Sequence, residues 1–167
     1  TLFGNAGNDT VLGGDGEDYV NGGDGEDVVF GGAGNDTVVG ESGNDNINGE
    51  AGNDVVFGGA GNDTVLGADG DDYLAGDAGD DNLAGGVGND TLFAGSGSDY
   101  LQGDAGDDVF VFEASFGTSL IIDFDSIKRG VEKGVPAKLA WVAAFGLVVT
   151  LIWLYLELLR ILAIFRS

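Results

Sequence analysis

The stretch Gly58–Leu66 reads GGAGNDTVL, and its pattern recurs every nine residues from Gly4 to Val111. Twelve consecutive units fit this pattern within the 167-residue chain. In every unit the fourth residue is Gly, the sixth is Asp and the eighth is apolar, while the first is Gly except at Ala94. A short fixed period of this kind indicates a repeat architecture, in which each unit packs against its neighbours along one axis.

The residue type at each position of the unit has a physical reason. Gly is needed where the backbone takes a positive φ and where carbonyl groups must turn toward an ion. The triplet around the apolar eighth residue predicts a short strand with one side chain pointing inward. Two units then make one coil, and stacked coils form two parallel sheets around a thin apolar column. We therefore predict an all-β solenoid, a right-handed parallel β-roll of about six two-unit coils over residues 1–111.

The sixth position supplies candidate metal ligands. Each turn offers one Asp carboxylate and carbonyl groups freed by Gly, and the Asp residues of alternate units lie one coil apart. Calcium accepts six to eight oxygen ligands of these kinds, whereas magnesium requires a small octahedral shell. We expect multiple Ca²⁺ ions at about ten inter-coil sites. The predicted ligands are Asp9, Asp18, Asp27, Asp36, Asp45, Asp54, Asp63, Asp72, Asp81, Asp90, Asp99 and Asp108.

Composition favours folding that depends on the ion. The chain has 33 Gly, 29 acidic residues, 6 basic residues and no Cys, His or Met. The first 127 residues contain 27 acids and no base, so this part should repel nucleic acid, attract cations and be disordered without calcium. Ion binding is then coupled to folding. No base, acid or nucleophile constellation accompanies the Asp residues, which predicts that the chain is not an enzyme.

Three further patterns bear on the array. Acids at the third and fifth positions, such as Asp15 and Glu17, are predicted to be solvated rather than ligands. Four Thr residues could form an ice-binding ladder, but their spacing of 27 residues places them on alternate faces: Thr10, Thr37, Thr64 and Thr91. The second position departs from Gly in six units, which should strain or loosen those turns and vary the quality of the sites: Asn5, Glu41, Glu50, Ala68, Asp77 and Asp104.

The repeated unit resembles the G-G-x-G-x-D-x-U-x unit of the RTX, or repeats-in-toxin, family. The resemblance covers about two thirds of the chain. It implies a parallel β-roll, secretion by a dedicated one-step exporter and calcium-driven folding outside the cell. It also assigns the calcium-ligand role to the twelve sixth-position Asp residues.

The chain changes character after the array. Phe112–Asp125 (FEASFGTSLIIDFD) predicts capping strands, and we place the cap at 112–127 and a basic linker at 128–138. Leu139–Leu156 (LAWVAAFGLVVTLIWLYL) carries no charge, and as a helix it would span about 27 Å, near the thickness of the bilayer hydrocarbon. Residues 139–165 are therefore predicted to form a transmembrane helix. The alternative is a hydrophobic helix docked on another domain or subunit.

The C-terminal segment Ser119–Ser167 resembles the last part of the bacterial Bax-inhibitor family of multi-span membrane proteins. The matching run is AAFGLVVTLIWLYLELLRIL. That family is implicated in calcium leak, with acidic residues inside the membrane. Asp123, Asp125 and Glu157 are the candidates for those acidic positions here. Only the last segment and its preceding loop are matched, so the resemblance implies no pore.

The two halves of the chain predict opposite locations for the array. The positive-inside rule places the start of the hydrophobic segment, and so the array, in the cytosol, whereas calcium-driven folding requires the array to be outside. The basic residues behind this conflict are Lys128, Arg129, Lys133 and Lys138 before the helix against Arg160 and Arg166 near its end. We therefore favour a chimera or a fragment.

Three hypotheses about function follow. The leading one is a non-enzymatic calcium-binding β-roll of a secreted or cell-surface protein, with calcium, the membrane and the exporter as partners. A second is the C-terminal part of an RTX toxin or enzyme, such as a protease, lipase or pore-former, whose active domain lies upstream of Thr1. A third is a Bax-inhibitor-like membrane protein that carries a foreign array.

Overall fold

The structure is a computed structural model that describes residues 1–112 and 120–122, and every regular element in that part of the chain is a β-strand. The strands are β1 Leu2–Ala6, β2 Thr10–Asp15, β3 Tyr19–Asp24, β4 Val28–Ala33, β5 Thr37–Ser42, β6 Asn46–Ala51, β7 Val55–Ala60, β8 Thr64–Asp69, β9 Tyr73–Ala78, β10 Asn82–Val87, β11 Thr91–Phe93, β12 Tyr100–Ala105, β13 Val109–Val111 and β14 Leu120–Ile122. Most strands of the repeats contain β-branched or aromatic residues around the eighth position, which favour extended backbone. Each turn falls on positions four to six, where Gly, Asn and Asp prevail.

Successive strands alternate between two parallel sheets of seven strands each. The odd-numbered strands β1 to β13 form one sheet, and the even-numbered strands β2 to β14 form the other. The register pairs each residue with the residue one coil later, as in Val20 with Val38 and Thr64 with Asn82. The predicted parallel β-solenoid of about six coils is therefore confirmed.

The core is a single column of eighth-position side chains. Val20, Val29, Ile47, Leu74 and Leu83 are among the members with no exposed surface. Each coil contributes only two such side chains, and the column has no second layer of apolar residues behind it within the described chain. The hydrophobic effect therefore stabilises each coil by much less than in a domain of ordinary thickness.

The four Thr residues lie on alternate faces, as their spacing predicts. Thr10 and Thr64 belong to β2 and β8 in one sheet, whereas Thr37 and Thr91 belong to β5 and β11 in the other. No single Thr ladder exists along either sheet within the described residues, so these four residues do not form an ice-binding face.

The C-terminal end of the solenoid carries one additional short strand. β14 lies within the segment predicted to cap the roll, and it pairs in parallel with β12 through Leu120–Tyr100 and Ile121–Leu101. None of the described residues forms a helix long and apolar enough to cross a membrane. The rest of the predicted cap, the basic linker at 128–138 and the predicted transmembrane helix at 139–165 lie outside the described residues.

The second position of the unit requires a positive φ in every coil. At the six units that lack Gly there, φ is between 67° and 84°, and Ala68 has the highest value. Gly at the same position in the next coil of that edge, Gly86, has a φ of 112°. A left-handed conformation is unfavourable for residues with a Cβ atom by about 1–2 kcal/mol. These turns are therefore strained, in agreement with the sequence-based expectation.

Replacing Ala68 by Gly should stabilise the calcium-loaded array by about 0.5–1 kcal/mol, because the relief of the left-handed strain exceeds the entropy that Gly adds to the unfolded chain. The matched control is Ala60→Gly. Ala60, at the end of β7, is exposed and has no positive φ, so its replacement should destabilise by a similar amount. Thermal unfolding in calcium measures the change in stability of each variant. Equal destabilisation by the two variants would contradict the claim that the left-handed conformation of Ala68 is strained.

Candidate metal centres

The twelve predicted ligands lie in the turns that connect the two sheets. Nine of them are almost fully buried, with 0 to 3% of their surface exposed: Asp27, Asp36, Asp45, Asp54, Asp63, Asp72, Asp81, Asp90 and Asp99. Asp9, Asp18 and Asp108, at the ends of the stack, are half-buried. A buried carboxylate is costly unless its oxygens are hydrogen-bonded or paired with a cation. The burial of so many acids therefore identifies the turns as the candidate site.

From Asp27 onward, one oxygen of each array Asp is held by the backbone of the preceding coil. The Asp45 amide donates to Oδ1 of Asp63 at 2.9 Å, and the Asp54 amide donates to Oδ1 of Asp72 at 2.8 Å. Ten such bonds, of 2.8 to 3.1 Å, join every pair of array Asp residues that are one coil apart. The structure therefore brings together the ten pairs on which the sequence-based calcium sites depend.

The other oxygen, Oδ2, is buried and has no hydrogen-bond partner along most of the array. Within the described chain this holds for Asp9, Asp27, Asp36, Asp45, Asp54, Asp63, Asp72, Asp81 and Asp90. Oδ2 lies against the first-position Gly of its own unit. A Cβ atom on Gly58 would stand 2.6 Å from Oδ2 of Asp63 and 2.8 Å from the carbonyl oxygen of Gly76. Gly therefore leaves room beside a carboxylate oxygen and a backbone carbonyl of the next coil.

This donor set fits calcium. Carboxylate and carbonyl oxygens are the ligands of hard cations, and the described residues contain no His or Cys. No three acidic side chains converge on a single point anywhere in residues 1–112 or 120–122. An ion between two coils would therefore take its remaining ligands from backbone carbonyls, as the sequence-based prediction requires.

Burial is the largest cause of a raised pKa in six of these carboxyls. The pKa is about 7 for Asp81, it is raised for Asp63, and it is about 6 for Asp45, Asp54, Asp72 and Asp90. The hydrogen bond from the preceding coil lowers each pKa, and nearby carboxylates raise it further, such as Asp63, Asp99 and Asp77 beside Asp81. Without a cation, these carboxyls therefore bind protons more tightly in the folded turns than in the unfolded chain.

These pKa values predict that acid promotes folding of the calcium-free chain. The ordinary Asp value is 3.8, so between about pH 4 and pH 7 the folded state binds more protons than the unfolded state. The stabilisation is complete below the unfolded pKa and is lost as the pH rises through 6 to 7. Far-UV circular dichroism of calcium-free chain should show more β-structure at about pH 4.5 than at about pH 7.5. A β-sheet signal that is unchanged or weaker at the lower pH would contradict this.

A second ladder, at the fifth position, was not predicted from the sequence. Oδ1 of Asn44 accepts a hydrogen bond from the Asn62 amide at 2.7 Å, and Oδ1 of Asn62 accepts one from the Asp80 amide at 2.9 Å. These Asn side chains are exposed, and each also joins its turn to the next coil. The signal in the sequence was the frequency of Asn at this position, since Asn readily bonds nearby backbone amides.

The fifth-position ladder is interrupted where Glu replaces the shorter side chains. Within the described residues, neither Glu17 nor Glu26 accepts such a bond from the next coil. Glu26→Asn should let the shorter side chain reach the Asn44 amide and stabilise the array by about 0.5–1.5 kcal/mol. Glu26→Gln is the control, because it removes the same charge but keeps the longer side chain. Thermal unfolding in calcium should show a gain for the first variant only, and an equal gain in both would assign the effect to charge.

Parallel coils, buried Asp pairs and Gly-lined turns together define a calcium-binding β-roll. The chain matches the family model of the RTX calcium-binding nonapeptide repeat over residues 1–29, 30–65, 39–74, 58–92 and 84–114. These matches cover more than half of the chain, which therefore belongs to this repeat family. Residues 108–167 match the Bax inhibitor 1 like family model. Both resemblances seen in the sequence are thus confirmed, and no curated protein matches the chain.

Proposed function

We propose that the array is a folding switch, a β-roll that is disordered without calcium and folds on meeting extracellular calcium, as part of a secreted or cell-surface protein. The observation that carries the proposal is the row of buried, unpaired Oδ2 atoms along the turns. A buried carboxylate oxygen without a partner destabilises the folded chain, and a cation beside it removes that penalty. We propose the twelve sixth-position Asp residues as the ligands and a right-handed coil as the sense of the roll.

In the folded roll, the chain's own groups position the carboxylate of each proposed site. The amide of one coil fixes Oδ1 of the next Asp, as the Asp45 amide does for Asp63. This bond directs Oδ2 toward the first-position Gly, which admits the carboxylate because it has no Cβ. Calcium, when bound, supplies positive charge and accepts carboxylate and carbonyl oxygens. Neighbouring coils share Asp residues, so filling one site should favour filling the next.

Charge determines the state of the array in each compartment. The first 127 residues carry 27 acids and no base, and mutual repulsion among these acids favours an expanded chain. Calcium is scarce in the cytosol and abundant outside the cell, so the array would remain unfolded until export. A one-step exporter is the route that we propose for it, with the roll at 1–111 and the cap at 112–127.

A membrane role is the second candidate, and the match of residues 108–167 to the Bax inhibitor 1 like model favours it. The uncharged run Leu139–Leu156 is the proposed contact with the bilayer, through a helix at 139–165 that follows a basic linker at 128–138. The array itself contributes no catalytic group in this proposal. Any catalytic or pore-forming activity would belong to other parts of a parent protein.

Calcium binding by the 167-residue chain tests the proposed function. In a non-ionic detergent, isothermal titration should show several calcium ions bound per chain, cooperatively and together with a gain in β-structure. Magnesium at the same concentration is the matched control and should produce neither effect, because it retains its own water shell. The absence of calcium binding, or an equal response to magnesium, would reject the proposal.

A further inference from the structure

The first position of the unit accepts only Gly when the sixth-position Asp takes its usual place. At ten of the eleven first-position glycines, an added Cβ would stand within 3.0 Å of Oδ2 in the Asp of the same unit, Gly13 being the exception. For Gly76 the distance to Oδ2 of Asp81 would be 2.5 Å. Real Cβ atoms do not approach an oxygen so closely, so a side chain at this position must displace the carboxylate.

Ala94 is the one unit where a Cβ occupies this position. It has no exposed surface and packs in the core column with the eighth-position side chains. Asp99, in the same unit, has only 2% of its surface exposed. The bond from the Asp81 amide to Oδ1 of Asp99 is 3.1 Å, the longest of the ten. Ala94 therefore has a Cβ atom at the position where, in ten other units, Gly leaves space beside Oδ2 of the Asp.

The backbone of the Ala94 coil departs from the others as well. β11 ends at Phe93 after three residues, and its neighbour β13 also has three, whereas β9, β10 and β12 have six residues each. In the preceding coils, residues at the second and third positions of one unit pair with the same positions one coil later. Between the unit of Ala78 and the unit of Ala94, the regular pairing ends at Phe93, and only the isolated bridge between Ala78 and Ser96 follows it. Ala94 donates its amide to the Val111 carbonyl at 3.2 Å. The added methyl group thus coincides with a loss of regular pairing around the turn.

We propose that Ala94 disables the calcium site between Asp81 and Asp99, leaving nine of the ten Asp pairs able to hold an ion. The inference rests on the proposed function and specifies which pair fails. Asp81 still serves the site that it shares with Asp63. On the edge that carries Asp81, the last pair able to hold an ion is then Asp63 with Asp81. On the other edge, the last such pair is Asp90 with Asp108.

Native mass spectrometry of the 167-residue chain can count the bound calcium ions. Ala94→Gly should bind one ion more than the unmodified chain, because the Oδ2 of Asp99 can then take the usual place. Gly58→Ala should bind at least one ion fewer, since its Cβ would meet Oδ2 of Asp63. Ala84→Gly, which makes the same exchange at the half-buried ninth position, is the control and should leave the count unchanged.

The outcomes separate this inference from the proposed function. If the unmodified chain binds calcium but Ala94→Gly adds no ion, the inference is wrong and the proposed function stands. If the unmodified chain binds no calcium, the proposed function is wrong. Hydrogen exchange locates the added ion: in calcium, amides of residues 94–99 should exchange more slowly in Ala94→Gly. A gain of one ion with slower exchange only elsewhere would also overturn the inference.

Discussion

Removing calcium is expected to abolish the β-roll of residues 1–111. Each site contributes about 2.7 kcal/mol of stability when calcium stands about a hundredfold above its Kd. The summed contribution of nine or ten such sites exceeds the free energy of unfolding of an ordinary domain, which is about 5–15 kcal/mol. The apolar column, with two side chains per coil, cannot replace that contribution. Far-UV circular dichroism should therefore change from a β-sheet spectrum to a largely disordered one when a chelator is added at neutral pH.

The control for this experiment is re-addition of the metal. Calcium in excess over the chelator should restore the β-sheet spectrum, whereas magnesium should not. A β-sheet spectrum that persists in the chelator at neutral pH would contradict the claim that ion binding drives folding. It would indicate instead that the hydrogen-bonded Asp ladder and the Val, Ile and Leu column suffice.

Replacing Asp63 by Asn should produce the second largest effect. Oδ1 of Asp63 accepts the Asp45 amide, and the Asp63 amide donates to Asp81, so Asp63 belongs to two of the inter-coil pairs. In calcium, the loss of one carboxylate from both sites should destabilise the array by about 3–5 kcal/mol, the usual effect of breaking a buried charge pair. Without calcium the sign should reverse, because the variant removes a buried negative charge whose pKa is raised by burial.

Asp69→Asn is the matched control for Asp63→Asn. It makes the same change of charge at an exposed third-position residue in the neighbouring unit. Thermal unfolding of both variants with and without calcium measures the contrast. We predict a large loss in calcium for Asp63→Asn alone. Similar losses in the two variants would assign the effect to net charge and would contradict a ligand role for Asp63.

The main features of the fold could be predicted because the repeat places one kind of residue at each structural position. A period of nine with a single apolar residue gives short strands, and two strands per coil give the register of Val20 with Val38. The Asp pairs follow from the same periodicity, because residues one coil apart must be neighbours in a stacked solenoid. Both predictions required only spacing and residue type.

Other features of the site depend on geometry that spacing alone does not specify. The Asn44–Asn62 bond depends on the direction of a side chain in an exposed turn, and solvation was the simpler expectation for that position. The presence of Ala instead of Gly at position 94 was visible in the sequence. Its proposed effect on Asp99 is argued from distances between Oδ2 and a first-position Cβ in the other units, which only coordinates provide.

Diffraction from crystals grown in calcium tests the central claim most directly. Anomalous difference maps locate calcium independently of the protein. We predict peaks between the Asp residues of consecutive coils, beside Oδ2 of residues such as Asp45, Asp63 and Asp72. A β-roll with no ions in these turns, or with ions only on the exposed acids such as Asp69, would contradict this claim.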